Sequence, residues 1–260
     1  MSKTRLSLFT WIMLPVYIWQ GVRLRQRIER LLPPNVPPTG KLGSKEPSFK
    51  LLVIGDSSVA SVGMERFEHT FAYNIADKVH DKTGRAVKWR AAGNNSATAA
   101  DLRDYVLPHI EERDFTHVIL AVGINDMKNF HAISTFKQTF GTLLYALRTR
   151  YPSAKIIWTP VPDMTGFPVL PKQLAKILAA RATLINHQGE QLCHERGVVY
   201  SEPVPVETDA GFARDGFHAG PEGYRIWGEH LVDYILADEA ENLVKVSDQP
   251  PAGQSELKSG

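Results

Sequence analysis

Five short runs of apolar and β-branched residues recur along this chain of 260 residues, at Phe49–Ile54, Val87–Ala92, His117–Val122, Lys155–Thr159 and Val198–Ser201. Between and after them lie stretches with helical patterning: Thr70–Thr83 before Gly84, Ala97–Leu107, Thr135–Arg150, Leu170–Arg196 before Gly197, and Pro221–Ala237. Strands that alternate with helices pair in parallel, because each crossover returns the chain over a face of the sheet. The expectation is an α/β fold, a three-layer α/β/α sandwich around a five-stranded parallel sheet. With 43% apolar and 22% charged residues, the chain is long enough for one well-buried domain of this kind and short for two. That domain is expected over residues 48–237.

Both flanks differ in composition. Leu6 to Val22 is almost uncharged, with Lys3 and Arg5 before it and Arg23, Arg25, Arg27 and Arg30 after it. These 17 residues reach roughly 26 Å as a helix, close to the thickness of a hydrocarbon core of about 30 Å. No small-x-small cleavage site follows, so residues 1–30 read as a retained membrane anchor, with Trp11 and Trp19 at the interface and Pro15 as a kink. The alternative is an apolar helix packed on the protein's own core or on a partner. As an anchor it implies an inner-membrane location, and the arginines after the run lean toward a cytoplasmic core domain. Residues 31–47 are rich in Pro, Gly and Lys and read as a linker, while residues 238–260 read as a disordered tail.

Charge and cysteine usage exclude several classes. A net charge of +2 with scattered Lys and Arg gives no basic stripe for nucleic acid. The lone Cys193 forms no internal disulfide and belongs to no metal-ligand cluster, so it reads as a packed small apolar residue. No Gly-rich phosphate loop opens the first helix of the core, which argues against a nucleotide site.

The chemistry-bearing residues fall at strand ends, where open α/β sheets place their sites. Gly55-Asp56-Ser57 follows the first core strand and leads into the small residues Ser58 to Gly63. A serine hydroxyl needs a neighbouring base before it attacks at neutral pH. Of the nine histidines, His218 stands apart: it lies in the glycine-rich loop Asp215-Gly216-Phe217-His218-Ala219-Gly220, where the Asp215 carboxylate can hold its imidazole. Gly123-Ile124-Asn125-Asp126 follows the third core strand. The Asn125 amide there suits an oxyanion donor, and Asp126 is expected to brace the turn.

In this order the three segments resemble the SGNH (GDSL-type) serine hydrolases, a family of esterases, lipases, thioesterases and acetylhydrolases with a flavodoxin-like fold. The resemblance runs from about Leu51 to Leu231 and points to bacterial lipolytic members through Phe167-Pro168-Val169-Leu170-Pro171. It implies a catalytic triad of Ser57, Asp215 and His218 acting through an acyl-enzyme, with no metal or organic cofactor. It also implies an oxyanion hole formed by the N–H groups of Ser57 and Ser96 with the amide of Asn125. Here the chain departs from the family, whose second block has a glycine where this chain has Ser96, and Gly93 is the other candidate donor. The implied substrate is an ester, of lipid or long-chain acyl type if Met164, Phe167, Phe130 and Leu170 form an acyl pocket, although each of them serves equally as a plug between loop and core. An acetyl-ester deacetylase and a degenerate binding module are the alternatives.

Overall fold

The computed structural model describes residues 3–206 and 209–247, with residues 209 and 238–247 described by their backbone alone. All five apolar runs are strands: β2 (Phe49–Gly55), β3 (Val87–Gly93), β4 (His117–Ala121), β5 (Lys155–Thr159) and β6 (Val199–Tyr200). They pair in parallel in the order β3-β2-β4-β5-β6. Successive side chains point to opposite faces, and both faces are apolar, as parallel sheets require. Leu52, Ile54, Val118, Leu120, Ile156 and Trp158 enter one core cluster. Leu51, Val53, Ile119, Ala121 and Ile157 enter the other. Helices α3 (Phe71–Thr83) and α8 (Pro221–Ser247) cover the second face and contact each other extensively. The first face is covered by α4 (Ala99–Asp101, continuing as a wider turn to Val106), α6 (Ile133–Arg150) and α7 (Lys172–Arg196).

Three expectations need correction. The sheet has six strands, because Thr39–Leu42, inside the stretch read as a linker, is an edge strand, β1, antiparallel to β3. Its sequence, TGKL, has no apolar run to signal it. It forms because Gly40 allows the backbone to lie against the Trp89 ring, where a Cβ would fall 2.2 Å from a ring carbon. The rest of that stretch is tied down as well, with Leu31 buried and the N–H groups of Gly63 and Ala91 donating to the carbonyls of Leu32 and Pro38. At the other end α8 continues to Ser247, past the point where a tail was expected to begin, while residues 248–260 lie outside the described residues.

The third correction concerns the amino terminus. The apolar run forms two short helices, α1 (Lys3–Ile12) and α2 (Leu14–Arg25), broken at Met13 ahead of Pro15, and both lie against α7. Among the described residues no helix is long and apolar enough to cross a membrane. The packing alternative describes this region: Thr10 is fully buried, and Trp11 and Tyr17 both contact the ring of Phe130.

Candidate active site

The order of the sheet reverses between β2 and β4, and the crevice outside the carboxyl ends of these two strands is where such sheets bind ligands. Ser57 follows β2 in a tight turn closed by the Val62 N–H donating to the Ser57 carbonyl. Its side chain lines a cavity together with His218, Ile124, Phe167, Phe217 and Trp227. The Asp56 carboxylate behind it accepts from the Ser58 N–H at 2.9 Å. Burial pushes the Asp56 carboxyl up to about 6, against the hydrogen bonding of Ser58 and the positive charge of Lys128.

The histidine loop is locally complete. His218 Nδ1 lies 2.6 Å from Asp215 Oδ2, and Asp215 Oδ1 accepts from the N–H groups of Phe217 and His218, each at 3.0 Å. Burial pushes the Asp215 carboxyl up, but these three hydrogen bonds outweigh it and hold the group below the ordinary aspartate value. The hydrogen bond at Nδ1 leaves Nε2 as the atom free to exchange a proton. Around this loop, the Gly216 carbonyl accepts from the Val169 N–H, and Phe167 packs against both Phe212 and Phe217.

The third loop is tied to the second. Asn125, in the short helix α5 (Ile124–Lys128), is 2% exposed and donates one amide hydrogen to the Ala97 carbonyl at 2.9 Å, leaving the other hydrogen unused. Asp126 ties its turn to the segment after β3: its Oδ2 accepts from the Ala99 N–H at 3.1 Å, and its Oδ1 lies 3.5 Å from His131 Nδ1. The main-chain N–H groups of Ser57 and Ser96 donate to no group among the described residues. Gly93, the other candidate donor, is under a steric constraint. It ends β3 opposite Gly55, and a Cβ there would fall 2.1 Å from the Ala60 nitrogen, so its glycine is needed where the two backbones meet.

Ser96 has φ +66, in the left-handed region that favours glycine. The other non-glycine residues with positive φ among those described are Ser61 at +52, in the loop after β2, and Phe130 at +59, just after α5. Backbone strain of this kind, of order 1–3 kcal/mol per residue, persists only where the surroundings impose it. At Phe130 those surroundings are visible. The buried guanidinium of Arg181 lies 3.8 Å from the centre of its ring, with Trp11 and Tyr17 also packed against it. Arg181 also donates to the carbonyls of Met127 at 3.1 Å and His131 at 2.5 Å. Burial pulls this guanidinium down to about 10, against the favourable influence of Tyr17. The Tyr17 hydroxyl donates to the Lys128 carbonyl, so the amino-terminal helices reach the loop that carries Asn125.

Residues 53–226 match the pattern of the GDSL-like Lipase/Acylhydrolase family. The chain belongs to this family. The fold agrees with solved GDSL-type hydrolases at low identity. A lipase/acylhydrolase from Enterococcus faecalis is 19% identical with a TM-score of 0.54, the match covering 73% of this chain and 96% of that one. An acetylxylan esterase from Geobacillus stearothermophilus is 15% identical with a TM-score of 0.58, covering 73% and 94%. A carbohydrate acetylesterase from Sinorhizobium meliloti is 15% identical with a TM-score of 0.54, covering 73% and 99%. No curated protein sequence matches the chain significantly. As a GDSL-like hydrolase the chain is an enzyme acting on carboxylic esters.

The four residues proposed for an acyl pocket separate in this fold. Phe167 forms cavity wall, Met164 and Leu170 are buried in the core, and Phe130 faces the amino-terminal helices. Cavity residues that the sequence did not single out include Phe212, Phe217, Ile226, Trp227 and the pair Val204 and Val206. Of these only Phe217 carried a signal, its place next to His218.

Proposed function

We propose that the enzyme cleaves lipid-like or acyl esters through a Ser57-His218-Asp215 triad and an acyl-enzyme intermediate. The Ser57 hydroxyl attacks the acyl carbonyl while His218 Nε2 takes its proton. The oxyanion is held by the N–H groups of Ser57 and Ser96 and by the unused amide hydrogen of Asn125. His218 returns the proton to the leaving alcohol, and water, activated by the same imidazole, then releases the acid. Asp215 keeps the imidazole in the tautomer with the proton on Nδ1 and stabilises the imidazolium.

The observation that carries this reading is the 2.6 Å contact between His218 Nδ1 and Asp215 Oδ2, on the wall of the cavity that Ser57 also lines. The apolar walls from Phe167, Phe217 and Trp227 support an acyl chain over a sugar. Lipid contact has separate support: Leu8, Ile12, Ile18, Trp19 and Val22 are exposed on α1 and α2 beside Arg23 and Arg25, an arrangement suited to lying on an anionic lipid surface without crossing it.

Ser57→Ala and His218→Ala are each expected to lower kcat on a small aryl ester by at least about 10³, with the double variant little worse, because triad members act as a unit. Folded Ser57→Ala protein turning over at near the native rate would end the proposal. A rate profile over acyl lengths from two to twelve carbons should rise with length, whereas a maximum at acetyl would favour a deacetylase.

A further inference from the structure

Lys128 is one helical turn beyond Ile124 on the same face of α5, and Ile124 is part of the cavity wall. Its ammonium lies 5.6 Å from the centre of the Phe217 ring, which is also cavity wall and precedes His218. The lysine is fixed from behind, where its carbonyl accepts from Tyr17 of α2. Its head is not similarly occupied. Among the described residues no carboxylate lies within ion-pairing distance of it.

Asp56 is the nearest acidic influence, but its carboxyl is buried and engaged by Ser58. The charge of Lys128 favours that carboxylate, but burial outweighs it and pushes the carboxyl up. Arg25 of α2 adds a second positive charge within electrostatic reach of Lys128. Burial pulls the Lys128 ammonium below the ordinary lysine value, and the Arg25 charge adds to that against Asp56. A half-buried cation whose nearest carboxylate lies beyond ion-pairing distance gains when an anion comes into direct contact with it.

We propose that Lys128 binds an oxyanion on the alcohol portion of the substrate, so that acidic esters are preferred over neutral ones. The inference rests on the ester-hydrolase reading above. An apolar cavity takes the acyl chain, which leaves the side of the site where Phe217 meets Lys128 for the charged end. Phosphate and carboxylate share the required chemistry and differ in source, the first as in a lipid headgroup and the second as in a hydroxy-acid ester.

The test compares three butyryl esters on the full chain at low salt: 1-butyrylglycerol, its 3-phosphate, and the butyryl ester of 3-hydroxypropanoate, each followed by acid release. At least one anionic ester should exceed the neutral one in kcat/KM by about tenfold or more, the scale of a charge-assisted hydrogen bond. K128Q should bring that ratio close to one, and K128R should retain most of it. Glycerol 3-phosphate or 3-hydroxypropanoate alone, whichever matches the preferred ester, should compete with the neutral ester in the native protein and not in K128Q. A native ratio near one, or an equal loss on neutral and anionic esters in K128Q, overturns the anion site while leaving the hydrolase reading intact. Failure to cleave any of the three sinks both.

Discussion

Asp215 and His218 lie three residues apart and satisfy each other within one loop, whereas Asn125 reaches its partner Ala97 across 28 residues and is steadied by groups farther away still. The proposed acid–base half of the site is thus a local motif. The proposed oxyanion half is an assembly joined by α5, the loop after β3, Arg181 of α7 and the amino-terminal helices. Proton transfer tolerates small adjustments of a ring held by one carboxylate. Oxyanion stabilisation depends on donors fixed before charge develops. The left-handed backbone at Ser96 and Phe130 lies on this second side.

The largest expected effect tests the local half. Asp215→Asn keeps an acceptor for the N–H groups of Phe217 and His218 but favours the wrong imidazole tautomer, so kcat should fall by about 10⁴ with little change in thermal midpoint. A loss under tenfold would show that His218 does not depend on its loop. Next is Asn125→Ala, expected to cost roughly 10²–10³ in kcat. Because it also cuts the tie to Ala97, the thermal midpoint should fall, in contrast to Asp215→Asn. Equal midpoints for the two variants would remove the distinction between a local and an assembled half.

A smaller effect is expected from removing residues 1–30, and it bears on the assembly directly. The cut uncovers Phe130 and the guanidinium of Arg181, deletes the Tyr17 contact to Lys128, and breaks the 2.9 Å ion pair from Glu29 to Arg214, next to Asp215. Misplacement by a fraction of an ångström at Asn125 should lower kcat by about ten- to a hundredfold on a small neutral ester. A truncated protein with native kcat would make the amino-terminal helices bystanders to catalysis.

That last expectation differs from what the sequence alone implies, a freestanding core after a linker. The reason is physical. Parallel strands such as Leu51–Ile54 announce themselves because burial on both faces demands an unbroken apolar run, and the Asp215-x-x-His218 pairing is legible because its partners are neighbours in sequence. The clamp on Phe130 leaves no such trace. Arg181 sits in an ordinary helical stretch, and its bonds to Met127 and His131 span 54 and 50 residues. Likewise β1 is legible only once Trp89 is seen beneath Gly40. The uncharged run Leu6–Val22 is divided in the structure, with Thr10 and Tyr17 against the core and Leu8, Ile12, Ile18, Trp19 and Val22 exposed, and length and composition do not separate the two faces.

The smallest effect is expected at Ser96. Serine at φ +66 carries a steric penalty that glycine does not, and the loop retains it because Asn125 and Asp126 pin both Ala97 and Ala99 from across the crevice. Ser96→Gly therefore acts in two opposing ways. It relieves strain of about 1 kcal/mol or somewhat more in the folded state, and it gives the unfolded chain more freedom, worth about half that. The net gain should be under about 1 kcal/mol, a rise of a few degrees at most in thermal midpoint. Its main-chain N–H is unchanged, so kcat should stay within about twofold, since a donor lost from the oxyanion hole would cost at least 10². Ser96→Val, whose branched side chain fits φ +66 poorly, should instead lose both stability and rate. If Ser96→Gly proves clearly less stable than the native protein, the loop is not strained at this position, and the tie from Asn125 to Ala97 is holding the oxyanion side together without opposition.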